Sequence, residues 1–129
     1  MFDRSQEQNC EILVVEDEPS VAGALKMILE DSGYRVSTVA TGRDGIDAAL
    51  RGQFCITITD LRLTDMTGLD VIKTICRHKP HSHFILITSS GSPDVIAEAQ
   101  SIGAAGVLLK PFQPSEILQM ICSVVEHRT

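Results

Sequence analysis

Apolar positions along the chain follow two alternating periods. Short β-branched runs at Ile12–Val15, Arg35–Val39, Cys55–Thr59, Phe84–Ile87 and Gly106–Leu109 have the length and composition of strands. Between them the spacing is helical. Val21, Leu25, Ile28 and Leu29 recur at steps of three and four, which places them on one helix face. Ile46, Ala49 and Leu50 repeat the pattern, as do Leu69, Ile72 and Ile75 or Cys76, and finally Ile117, Met120, Ile121 and Val124. The punctuation agrees. Gly33, Gly52 and Gly103 stand where helices should end in left-handed caps. Thr41 with Asp44 reads as a capping box with a shortened partner, and Ser92-Pro93 as an N-cap before a first-turn proline. Pro114 and Ser115 introduce the last helix.

Five strands alternating with five helices predict an α/β fold, a single three-layer domain with a parallel sheet covered on both faces. ILVV, CITIT and FILIT are nearly all apolar, as central strands should be, whereas RVSTV alternates and reads as an edge. At 129 residues the chain is of one-domain size. Residues 1–10 are polar and acidic and read as an N-terminal extension to a domain over 11–127, with no apolar segment of a signal peptide. No run is long enough to span a bilayer, so a cytoplasmic protein is expected, with no membrane partner. The net charge of −6 argues against direct contact with nucleic acid. Cys10, Cys55, Cys76 and Cys122 are far apart and form no CxxC pair, so neither disulfides nor zinc are expected. Cys55, Cys76 and Cys122 lie in apolar segments and are read as buried free thiols.

Open parallel sheets bind ligands beyond the carboxyl ends of their strands, so the residues closing each strand carry the chemistry. The first strand ends in Glu16, Asp17 and Glu18, the third in Asp60, the fourth in Thr88 and the fifth in Lys110. Singly, each has a structural use, as a helix cap, a turn residue or a solvated charge. Together they are carboxylates that repel one another unless a cation or lysine intervenes. Such hard oxygen donors suit Mg²⁺, and an aspartate beside Mg²⁺ and a lysine is suited to attack phosphorus.

The motifs ILVVEDEP, TDLRLTDMTGLD around Asp60, ILITSSG and GAAGVLLKPF occur in order from about Glu11 to Glu126. With them the sequence resembles the receiver domain of two-component response regulators. The resemblance implies a flavodoxin-like sheet in the order 2-1-3-4-5. It implies a signalling phosphoacceptor rather than an enzyme, with Asp60 taking a phosphoryl group from a phosphohistidine in a Mg²⁺-dependent reaction. Asp17 and Asp60 would ligate the metal, Glu16 would act through water, and the backbone carbonyl of Arg62 would complete the set. Thr88 would bond a phosphoryl oxygen, Lys110 would pair with the group, and Lys110–Pro111 would be cis. The partner would be a sensor histidine kinase or a histidine phosphotransfer protein. The face formed by the fourth helix, fifth strand and fifth helix would be the output surface and the place for a homodimer contact.

The sequence departs from the family pattern in three respects. Val107 replaces the usual aromatic three residues before the lysine, Thr64 replaces a proline four after the phosphoacceptor, and Arg62 and Ser90 fill two variable positions beside the site. The alternative within the family is a phosphorelay or hybrid-kinase receiver that passes its phosphate to a histidine phosphotransfer protein. The alternative of another class is an aspartate-nucleophile phosphatase of haloacid dehalogenase type. That chemistry needs a second aspartate two residues after the first, and the position is Arg62.

Overall fold

The strand and helix periods of the sequence are realised in the computed structural model, which describes residues 10–126. The elements run β1 (Glu11–Val15), α1 (Pro19–Asp31), β2 (Arg35–Val39), α2 (Gly42–Arg51), β3 (Ile56–Asp60), α3 (Gly68–His78), β4 (Phe84–Thr88), α4 (Pro93–Ser101), β5 (Ala104–Leu109) and α5 (Pro114–Glu126). All ladders are parallel, in the order β2-β1-β3-β4-β5. RVSTV is therefore an edge, as its alternation implies. Among the described residues, no helix is long and apolar enough to cross a membrane.

Side chains alternate across the pleat and so divide the core into two layers. Ile12, Val14, Ile58 and Ile85 pack with Leu25 and Leu29 of α1 and Ile117 and Ile121 of α5. Leu13, Val15 and Leu86 pack on the other face with Ala49 of α2, Val71 and Ile72 of α3 and Ala99 of α4. The apolar stripes read along α1, α3 and α5 thus supply the core contacts of those helices, and every strand carries its carboxyl end to the same rim.

The helix ends explain where the local reading holds and where it fails. Gly33 and Gly103 adopt φ of 97° and 107°, a region that glycine enters without strain. Gly52 does not: its φ is −102°, and a Cβ there would lie 2.8 Å from Phe54 Cε2, so packing against that ring selects glycine. Ser92 accepts from Val95 N as the cap of α4. Thr41 accepts from Asp44 N, but the reciprocal capping box is formed by Thr67 and Asp70 at α3.

The expectation for the cysteines is corrected. Cys10 and Cys55 form a disulfide, with Cα atoms 5.6 Å apart, at the amino ends of β1 and β3. Neighbouring parallel strands bring the two residues together, a proximity that their 45-residue separation conceals. Cys10 is buried in the core layer under α1 and α5, just ahead of β1, while 1–9 lie outside the described residues. Cys76 is a half-buried thiol and Cys122 an exposed one, because the latter sits off the apolar stripe of α5.

Candidate functional site

The acidic rim is assembled by backbone bonds just past the strand ends. Glu16 N donates to Val39 O at 3.0 Å, Leu61 N to Ile87 O at 2.7 Å, and Lys110 N to Thr88 O at 2.9 Å. These bonds tie the carboxyl end of β1 to β2, and those of β3 and β5 to β4. Asp60 closes β3 as its last paired residue, opposite Ile87, and is largely buried.

Carboxylate oxygens of Glu16, Asp17 and Asp60 all lie within 4.8 Å of one another. Lys110 stands between two of them, its Nζ 3.1 Å from Glu16 Oε1 and 3.3 Å from Asp60 Oδ2. Glu16 is 3% exposed. Its Oε2 accepts from Glu18 N at 3.2 Å, while Oε1 is fully buried and, among the described residues, faces the Lys110 ammonium alone. Burial raises the Glu16 carboxyl above its usual 4.5 and the like charge of Asp60 adds to this, against the lowering effects of Lys110 and the Glu18 N–H. Burial draws the Lys110 ammonium down, yet Glu16 and Asp60 outweigh it and leave the group above its usual 10.5. Three converging carboxylates, one ammonium and one under-partnered buried oxygen are a donor set short of positive charge, which a hard divalent cation would fit.

Not every rim residue enters the cluster. Glu18 is exposed and serves as the N-cap residue of α1, where its backbone carbonyl accepts from Val21 and Ala22. The buried Thr88 hydroxyl is turned to the backbone of Ser90, accepting from its N–H at 3.0 Å and donating to its carbonyl at 3.1 Å. Arg62 has an exposed side chain and pairs in an isolated antiparallel bridge with Thr67. The acid–acid spacing of a dehalogenase-type phosphatase is absent at this position. The Lys110–Pro111 peptide is cis, as expected. Val107 is half-buried and packs against the core layer of α2, α3 and α4.

Asp65 was not legible as part of this region. Both its oxygens accept backbone bonds from the start of α2, Oδ1 from Gly42 N at 2.8 Å and Oδ2 from Arg43 N at 2.9 Å. The N–H groups of Arg43 and Gly42 hold its carboxyl below the usual 3.8. No local sequence signal announces a cap supplied from a distant loop.

Comparison with known proteins agrees with this architecture. The family model of the response regulator receiver domain matches residues 12–122. The chain is 35% identical over 111 residues to the uncharacterized transcriptional regulatory protein YkoG of Bacillus subtilis (strain 168), covering 85% of this chain and 48% of that protein. It is 28% identical over 116 residues to the cell cycle transcriptional regulator CtrA of Caulobacter vibrioides (strain NA1000 / CB15N), covering 90% of this chain and 50% of that one. It thus spans about half the length of these curated relatives. A CheY-like receiver domain protein from Methanospirillum hungatei JF-1 superposes with a TM-score of 0.89 at 26% identity, over 93% of this chain and 96% of that chain. A parallel sheet in the order 2-1-3-4-5, a carboxylate cluster bridged by lysine at its rim and a family match across nearly the whole fold converge on one identity: the chain belongs to the receiver domain family of two-component response regulators.

Proposed function

We propose that Asp60 is the phosphoacceptor and that the cluster of Glu16, Asp17 and Asp60 holds Mg²⁺, with the Arg62 backbone carbonyl as a further ligand. The observation that carries this reading is the placement of Lys110 Nζ within 3.3 Å of Asp60 and 3.1 Å of Glu16 beside a third carboxylate. Lysine lowers the repulsion that three acids would present to an incoming phosphoryl group. A carboxylate oxygen of Asp60 attacks the phosphorus of a phosphohistidine. The phosphorus–nitrogen bond breaks, its electron pair returns to the imidazole nitrogen, and that nitrogen takes up a proton. The product is an acyl phosphate on Asp60. The bound metal would supply neutralisation of the phosphoryl oxygens, and Lys110 would pair with one of them.

Thr88 would bond a phosphoryl oxygen only by releasing the Ser90 carbonyl, to which its hydroxyl proton is now donated. Phosphorylation would therefore be relayed through the segment between β4 and α4, without an aromatic at Val107. Arg62 would screen the phosphoryl group from water and set the rate of slow autodephosphorylation. The donor would be a sensor histidine kinase or histidine phosphotransfer protein, acting in the cytoplasm on the domain over 11–127. Intact mass after incubation with acetyl phosphate, with and without Mg²⁺, tests the assignment. Wild type should gain one phosphoryl group only with Mg²⁺, and Asp60→Asn none. An equal adduct on Asp60→Asn would overturn it.

A further inference from the structure

The segment between Asp60 and Gly68 carries the backbone immediately after the acceptor, and Thr64 leaves it without a stiffening proline. Its own backbone bonds close it into a small loop. Gly68 N donates to Leu61 O at 2.7 Å, Leu63 N to Met66 O at 3.2 Å, and Arg62 bridges to Thr67. Thr64 and Asp65 form the exposed tip. The tip is not free. Asp65 reaches residues 22 and 23 positions earlier and binds the first two N–H groups of α2 with its two oxygens. The positive end of the helix dipole favours a carboxylate there. Met66 lies against the same helix end, where a Cβ on Gly42 would overlap its Cγ and come within 2.7 Å of its Sδ.

That helix is packed on the other half of the acidic cluster. A Cβ on Gly45 of α2 would lie 2.6 Å from Val15 Cγ2, so α2 sits close on β1, which presents Glu16 and Asp17. The Asp65 carboxylate therefore ties the loop of Asp60 to the helix that rests on the strand of Glu16 and Asp17. We infer that Asp65 is a positioning residue for phosphoryl acceptance, clamping the loop after Asp60 to α2 and so fixing the separation of the two halves of the carboxylate cluster. The inference rests on the reading of Asp60 as acceptor.

Three variants separate positioning from plain stability. Asp65→Ala removes both bonds, and Asp65→Asn leaves one carbonyl oxygen to accept one N–H. Thr41→Ala deletes a cap of the same helix, its bond from Asp44 N at 3.1 Å, without touching the loop. Each is measured for thermal midpoint, for the Mg²⁺ dissociation constant of the unphosphorylated domain by calorimetry, and for the rate of adduct formation with acetyl phosphate. Asp65→Ala should weaken Mg²⁺ binding and slow phosphorylation about tenfold, less than the roughly hundredfold that a misplacement of about 1 Å can cost. Asp65→Asn should recover part of both, and Thr41→Ala should lower the midpoint while leaving both unchanged. Wild-type Mg²⁺ affinity and rate in Asp65→Ala would overturn the inference, as would an equal loss in Thr41→Ala. If wild type forms no Mg²⁺-dependent adduct, the acceptor reading itself falls and this inference falls with it.

Discussion

Lys110 is shared between two buried carboxylates, so its removal exposes their mutual repulsion. Lys110→Ala leaves Glu16 and Asp60 without the ammonium that stands 3.1 and 3.3 Å from them. Stranding a buried charge in this way should cost about 2 kcal/mol at neutral pH, less than for a fully enclosed pair because the lysine retains some solvent. The pH dependence follows from the signs. The Lys110 ammonium is held above 10.5, so its contribution is complete below that value and is lost only as pH climbs through the folded-state value. The variant's deficit has the opposite origin. Glu16 is already raised above 4.5 by burial, and acidification neutralises it. Urea unfolding of both proteins should show a gap that narrows as pH falls toward 4.5, and Mg²⁺ should narrow it at neutral pH. A gap independent of both would show that Lys110 does not offset these carboxylates. Asp65 provides a contrast at the same scale. Its carboxyl is lowered from 3.8, so its bonds to α2 are complete above that value and are lost as pH falls below it.

Gly68 shows why an element can be tied to the site by the absence of a side chain. It opens α3, and a Cβ there would overlap the carbonyl of Asp60 and lie 2.9 Å from Leu86 Cδ1. Backbone cannot swing aside as a side-chain tip can, so Gly68→Ala should destabilise by about 1–3 kcal/mol, the range for overpacking. It should also slow phosphorylation of Asp60, because the atom displaced is the proposed acceptor's own carbonyl. Thr67→Ala, which removes only the cap bond from Asp70 N, should cost about 1 kcal/mol and leave the rate alone. Equal rates in the two variants would refute the distinction. Strand boundaries were legible to within two residues, because hydrophobic period fixes where a strand lies but not where its ladder stops. Asp60 and Thr88 extend β3 and β4 because Asp60 pairs with Ile87 and Thr88 with Leu109. The rim acids and Lys110 were legible because topology alone sends strand ends to one edge. Residue pattern alone did not separate Glu18 from Glu16 and Asp17, since the turn into α1 decides which carboxylate points inward; the family resemblance did, by giving roles only to Glu16 and Asp17. The Asp65 clamp was illegible for the same kind of reason: positions 42 and 65 meet only in the folded chain.

The sheet has a chemical end and a structural end. The carboxyl ends hold the acidic cluster, whereas the amino ends of β1 and β3 are joined through Cys10 and Cys55. Cross-linking residues 45 positions apart removes loop entropy from the unfolded chain, worth about 4 kcal/mol on the chain-entropy account. Such bridges persist in oxidising surroundings and are kept as dithiols where thiol buffers are reducing. Oxidised wild type should therefore unfold at higher urea than the same protein with reductant, and the double variant Cys10→Ser/Cys55→Ser should be insensitive to reductant. Because the bridge lies at the opposite end of the strands from Asp60, reduction should leave the Mg²⁺-dependent adduct on Asp60 unchanged under conditions where both forms are folded. Two results bear on this separately. Identical unfolding midpoints with and without reductant would show that the bridge adds no stability. A changed phosphorylation rate on reduction would show that the two ends of the sheet are coupled through β1 and β3.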